Sequence, residues 1–171
     1  MRYWLGLGSN LGDRATRLAE AVWLLVRGGP MRLARLSSVY ETAPVGITEQ
    51  PAFLNMVIAV EAEAEPRQVL EACLAAEAAM GRVRRGKWGP RIIDLDVLVA
   101  EGVEVREEGL ALPHPLMTQR QFVLVPLAEV APELRLADGR RAGEAADASD
   151  SDVVRVGRLA ACVRREAQAK R

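Results

Sequence analysis

Lysine is almost missing from this chain. Of 23 basic residues only positions 87 and 170 are lysine; the others are arginine, and 23 acidic residues bring the formal charge to zero. A chain so balanced has no uniform basic surface for tracking a nucleic-acid backbone, so nucleic acid is not an expected partner. Cysteine is nearly as scarce. Cys73 and Cys162 lack the paired spacing of a metal site, and both fall in alanine-rich helical patterns. They read as small buried hydrophobes of a reducing compartment. No apolar run approaches the roughly 18 residues of a membrane span. No basic stretch leads into a short apolar core at the N-terminus, so no secretory leader is expected and the expected location is the cytoplasm. Aromatic residues make up 4% of the chain, with only two phenylalanines, Phe53 and Phe122, and the one histidine is His114.

What remains is ordinary for a soluble globular protein: 171 residues, 50% apolar and 27% charged. That length predicts one domain, with enough chain to bury a sizeable core. Strands are expected at 3–8, 31–40, 53–61 and 92–100, the last being the apolar run IIDLDVLVA. Apolar residues at helical spacing predict helices over 14–27, with Asp13 as its N-cap, over 66–80 and over 118–129, where Pro126 should kink or end the helix. Residues 41–53, 81–91 and 143–152 read as loops, Leu112-Pro-His-Pro115 as a rigid turn, and 153–169 as a short strand and a charged tail. The second and third strands have no helix between them and should pair antiparallel. The order strand, helix, strand, strand, helix, strand predicts an α+β, ferredoxin-like βαββαβ sandwich with the helices on one face of an antiparallel sheet. The other face would be free for a site or for the C-terminal elements.

The stretch GLGSNLGDR (6–14) looks like a phosphate loop and fails as one. Leu11 stands where a dinucleotide fingerprint needs its third glycine, and Asp13 follows Gly12 where a P-loop needs lysine. Gly6 and Gly8 instead share one face of a strand, which suggests close packing over it. Asp94 and Asp96 also share one strand face. Two carboxylates so close repel unless a cation lies between them, and oxygen ligands of that kind suit Mg²⁺ held jointly with substrate phosphates. The simpler alternative is an exposed sheet face that happens to carry two acids. The arginine-rich loop just before them (Arg82, Arg84, Arg85, Lys87, Arg91) favours the metal reading, because metal ligands beside arginine donors serve phosphoryl transfer. Asn55 shares a face with Phe53 and could read a heterocycle edge, and Arg120 near Phe122 could reach a phosphate. Core packing is the simpler reading for each phenylalanine taken singly. His114 is compatible with a structural cap, a nucleotide contact or an acid.

Taken together, GLGSNLGDR, SSVYETAPVG, QPAFLNMV, GRVRRGKWGPRIIDLDVLV, LPHPLMTQRQFVLVPLAEVAPEL and the Asp138-Gly139 pair resemble the 6-hydroxymethyl-7,8-dihydropterin pyrophosphokinase family of folate biosynthesis. The resemblance covers roughly the first 140 residues, leaving 140–171 as a variable C-terminal segment of one 1–171 domain. It implies transfer of pyrophosphate from ATP to the hydroxymethyl group of the pterin with release of AMP. It implies two Mg²⁺ ions on Asp94 and Asp96. It implies a pterin site made by Thr42, Val45, Phe53, Asn55, Trp88 and Phe122, and ATP contacts from Glu77, Arg84, Arg91, His114 and Arg120. Arg82 and Arg91 would join the two aspartates in catalysis, and loops 43–51 and 81–91 would close over the substrates. The chain departs from some members at Phe53, where they have tyrosine, at Leu74, where they have a polar nucleotide contact, and in an 81–91 loop one residue shorter. The expected partners are the two small substrates, with no membrane and a monomeric chain. Two other readings remain at this level. A ferredoxin-like nucleotidyltransferase or phosphatase would use the aspartates without needing the paired phenylalanines. A catalytically silent binding module would need neither the acid pair nor the arginine loop.

Overall fold

The computed structural model describes residues 1–27, 30–44, 46, 49–82 and 89–169. The central strand β1 (Arg2–Ser9) is flanked by β4 (Phe53–Ala62) and β5 (Asp94–Ala100), both antiparallel to it. On its far side β4 carries β2 (Met31–Leu36) along its second half and β3 (Val39–Thr42) along its first. A last strand, β8 (Val153–Gly157), pairs with β3 and completes the order β5-β1-β4-β3-β8. Helices α1 (Arg14–Arg27) and α2 (Pro66–Ala79) are the two crossovers of a ferredoxin-like α+β fold.

Strand alternation sorts the side chains. Tyr3, Leu5, Leu7, Met56, Ile58, Val60, Leu95 and Val97 face α1 and α2 and are buried with Leu18, Leu25, Val69 and Cys73. The opposite face is covered as well. Trp4, Val57, Ala59, Leu98 and Val99 pack under α3 (Gln121–Val130) and the short α4 (Ala142–Ala145). Leu98 and Val99 are neighbours in sequence, yet both serve this second face. A bulge against Trp4-Leu5 lets them.

Local chemistry explains where the elements differ from the sequence reading. The expected strand 31–40 is two strands, because Ser37 enters the β4 ladder. Its N–H donates to the Val57 carbonyl and its hydroxyl accepts from the Val57 N–H, both at 2.9 Å. The last main strand starts at Asp94, not Ile92, since Ser9 and Asn10 hold the backbone of Ile92 and Arg91. Pro126 does not end the helix. It lacks the N–H that would bond the Phe122 carbonyl, but α3 continues to Val130, with Val123, Leu124, Val125, Leu127 and Val130 buried around it. Residues 105–112 form an unexpected hairpin, β6 (Val105–Glu107) and β7 (Leu110–Leu112), turned at Gly109 with φ 74°. The strand expected after 153 is there, but the charged tail is a helix, α5 (Leu159–Ala169). It buries Cys162 and packs Leu159 and Val163 on the α1 side of the core. Its Glu166 carboxylate accepts the first-turn N–H groups of α1, from Ala15 at 2.9 Å and Thr16 at 3.1 Å.

Candidate active site

The floor of the site is a patch of sheet written across three strands. Gly8 lies between Asp94 on one side and Asn55 on the other, and Gly6 lies between Asp96 and Val57. Partners in a ladder project to the same face, so both aspartates, Asn55 and Phe53 stand on the α3 side of the sheet. The glycines between them leave a trough. A Cβ added to Gly8 would come within 2.8 Å of the Asn55 Oδ1 atom, so nothing but hydrogen fits there without displacing that amide. Above the floor α3 stops short at Phe122. The resulting cavity of about 330 Å³ is lined by Thr42, Phe53, Asn55, Arg91, Asp94, Asp96, His114, Arg120 and Phe122.

One end of this cavity is charged. Each oxygen of Asp94 faces a guanidinium: Arg82 approaches Oδ1 at 2.7 Å, and Arg91 holds Oδ2. Arg82 is also paired with Glu77, which is 4% exposed on α2. Glu77 accepts the Leu95 N–H at 2.7 Å, from the residue between the two aspartates. Burial raises the Glu77 carboxyl above the usual range, partly offset by that N–H and by Arg82. Burial also raises Asp96, and the neighbouring Asp94 charge adds to it. Burial lowers His114, against the pull of Asp96. His114 is fixed by its N–H to the Leu98 carbonyl at 2.8 Å, after a cis Leu112–Pro113 bond.

Among the described residues no group of three or more His, Cys, Asp or Glu side chains is placed to hold a metal. The acid pair fits a different kind of ion. Two carboxylates on one strand face suit a hard cation that keeps some of its waters and completes its shell with substrate oxygens, as Mg²⁺ does.

The other end of the cavity is aromatic and amide. Asn55 donates from Nδ2 to the Thr42 hydroxyl at 2.7 Å, which leaves its carbonyl oxygen toward Gly8. Phe53 and Phe122 come from β4 and α3. The Arg120 guanidinium lies 5.7 Å from the Phe122 ring centre.

The loops reaching this cavity converge on the stretch that resembled a phosphate loop. Asn10 accepts the Arg91 N–H at 2.7 Å and donates to Gln50 at 3.0 Å and to the Pro51 carbonyl at 3.1 Å. Ser9 donates to the Ile92 carbonyl at 2.6 Å. Arg14 donates to the Ala52 carbonyl and pairs with Glu41, both at 2.7 Å.

Nine of the expected site residues thus share one cavity, whereas Glu77 and Arg82 stand behind its acidic end. Val45, Arg84 and Trp88 lie outside the described residues, as do Arg85 and Lys87. Sequence reasoning did not single out Gln50, Leu98 or Leu116 as lining residues. The Gln50 position has a signal in hindsight, since it sits in a Pro- and Gly-punctuated loop facing the strand of Asn55. Leu98 and Leu116 have none, because each reads as ordinary core.

The family model for 7,8-dihydro-6-hydroxymethylpterin-pyrophosphokinase (HPPK) matches residues 4–132. The chain belongs to this family. Among its relatives is a 2-amino-4-hydroxy-6-hydroxymethyldihydropteridine pyrophosphokinase of Methylorubrum extorquens, 52% identical over 133 residues, covering 78% of this chain and 84% of the relative. Another of the same name, from Bacillus subtilis, is 43% identical over 127 residues, covering 74% and 76%. A solved HPPK-DHPS chain of Plasmodium falciparum superposes with a TM-score of 0.61 at 15% identity. It covers 84% of this chain, which spans 42% of the longer neighbour, and the likeness is one of fold. Membership makes the chain an enzyme, a pyrophosphokinase of folate biosynthesis. No helix among the described residues is long and apolar enough to cross a membrane.

Proposed function

We propose that the enzyme binds 6-hydroxymethyl-7,8-dihydropterin at the aromatic end of the cavity and ATP at its acidic end. It then transfers the β,γ-pyrophosphate of ATP to the pterin hydroxymethyl oxygen. The observation that carries this reading is one cavity lined by Asp94 and Asp96 from β5, by Phe53 and Asn55 from β4 across β1, and by Phe122 from α3. A flat heterocycle fits between two phenyl rings, and an amide beside them can both donate to and accept from its edge. The alternatives weighed from sequence leave the phenylalanine pair without a purpose.

In the reaction the hydroxymethyl oxygen attacks the β-phosphorus. The bond from that phosphorus to the α,β-bridging oxygen breaks, AMP leaves, and the hydroxyl proton goes to solvent or to AMP. Asp94 and Asp96 would hold Mg²⁺, two ions by the family resemblance. Such ions supply charge neutralisation on the triphosphate and a lower pKa for the attacking hydroxyl. Arg82 and Arg91 pair with Asp94 at this end and would serve as donors to the phosphates. Arg120 and His114 line the same cavity, near enough to Asp96 to act on its charge, and would contact the transferred group. Loops 43–51 and 81–91, with Val45, Arg84 and Trp88, would close over the substrates and exclude water, so that ATP is not simply hydrolysed. Their roots are already gathered on Asn10. The enzyme would act as a single-domain monomer in the cytoplasm.

The test is to resolve the nucleotides after incubating enzyme, ATP, Mg²⁺ and the dihydropterin. The expected product is AMP, formed in step with the pterin pyrophosphate. ADP as product, or no turnover, overturns the proposal.

A further inference from the structure

Three side chains outside the cavity meet at the far end of α3. Glu129 follows Phe122 by seven residues, which places it two turns further along the same stripe of the helix. Its carboxylate accepts the Ser38 N–H at 2.7 Å, the Ser38 hydroxyl at 2.9 Å and the Tyr40 hydroxyl at 3.0 Å. Ser38 in turn accepts from the Arg155 guanidinium at 3.0 Å, from β8. Ser38 and Tyr40 are buried, and Tyr40 is the ladder partner of Asn55. Burial pushes the Tyr40 phenol up to about 12, with the bond to Glu129 adding to it.

The geometry runs from this cluster to the cavity along two parallel tracks. On one track the chain passes from Ser38, just before β3, through Tyr40 to Thr42, whose hydroxyl accepts from Asn55. On α3 it passes from Glu129 back to Phe122. Apolar packing of Val123, Leu124, Leu127 and Val130 holds α3 on the sheet, but such contact is non-directional and does not by itself fix how far the helix slides. A carboxylate gripping three donors does fix it.

We infer that Glu129 is a positioning residue for the heterocycle site, setting the gap between Phe122 on α3 and the Asn55–Thr42 wall through Ser38, Tyr40 and Arg155. This rests on the pterin reading given above. It also gives the C-terminal segment, which lies beyond the family match at 132, a part in substrate binding through Arg155.

The experiment measures binding of 6-hydroxymethylpterin, by its own fluorescence, and of Mg-ATP, together with KM and kcat, in wild type, Glu129→Gln, Tyr40→Phe and Phe122→Ala. Glu129→Gln should weaken pterin binding about tenfold, the scale of one lost charge-assisted hydrogen bond, with Mg-ATP binding and kcat within about twofold. Tyr40→Phe, the milder change, should weaken the pterin by about threefold with the same selectivity. Equal weakening of both ligands, or unchanged pterin binding in either folded variant, overturns the inference. If wild type and Phe122→Ala bind the pterin alike, the heterocycle site itself is misplaced and the inference falls with it. If Phe122→Ala loses the pterin while both polar variants keep it, only the inference fails.

Discussion

Along β1, Tyr3, Leu5 and Leu7 press on α1 and α2, while Trp4, Gly6 and Gly8 look the other way, toward α3 and the cavity. The same alternation divides β4 and β5. On the first face β1, β4 and β5 supply large apolar side chains at alternate positions, and these are buried against α1 and α2. On the second face that rule holds at Trp4, Val57, Leu98 and Val99, and at Phe53 on the rim of the cavity. Toward the other end it gives way to glycine, asparagine and two aspartates. The lesson is that one face of the sheet is given over to packing, while the other is divided between packing under α3 and a costly polar site. Burial raises the Asp96 carboxyl on that side, and Arg82 and Arg91 pair with Asp94 beside it.

Four substitutions test that division. The largest effect should come from Asp96→Asn. Turnover should fall to background, measured as AMP formed, while the cation-free protein melts at a higher temperature than wild type. The sign follows from the raised carboxyl of Asp96. A raised folded pKa contributes stability below the unfolded value and loses it as pH rises through the folded one, so at neutral pH the buried charge opposes folding. A lower melting temperature would mean that Asp96 is structural. Ile58→Ala, on the packed face, should do the reverse. It should cost about 2–5 kcal/mol in denaturant titration and leave pterin binding by the folded fraction unchanged. Third, Gly8→Ala introduces a Cβ within 2.8 Å of the Asn55 amide oxygen. It should weaken 6-hydroxymethylpterin about tenfold, about 1.4 kcal/mol, with a smaller effect on stability. Equal binding would show that the trough is not used. The smallest effect should be that of Glu166→Ala, which strips two N–H partners from the start of α1. A loss of about 1 kcal/mol in stability is expected, with both ligands bound as before.

The packed face was legible in the sequence because alternation and helical spacing are local signals. The ferredoxin-like order followed from them. Asp94, Asp96, Phe53, Asn55 and Phe122 were also visible as residue types at meaningful spacing. That Gly6 and Gly8 lie in register between the aspartates and Asn55 was not, since register joins residues nearly ninety positions apart. The bulge at Leu98-Val99 left no trace in a run of branched apolar residues. The hairpin at 105–112 has strands too short for periodicity. Helix α5 reads as a charged tail in the sequence because its apolar stripe is narrow and its role depends on Glu166 meeting Ala15. Ser37 splits a strand through a side-chain bond that no propensity encodes.

The strand β8 carries a consequence for the unit of inheritance. The family match stops at residue 132, yet the fold does not. A fragment cut there would bare the outer edge of β3, with Val39 and Tyr40 beside a row of unpaired backbone groups, and such an edge invites a neighbouring chain to pair with it. A piece transplanted or fused to another protein with that edge still covered therefore runs through β8, past the residues that the family model matches.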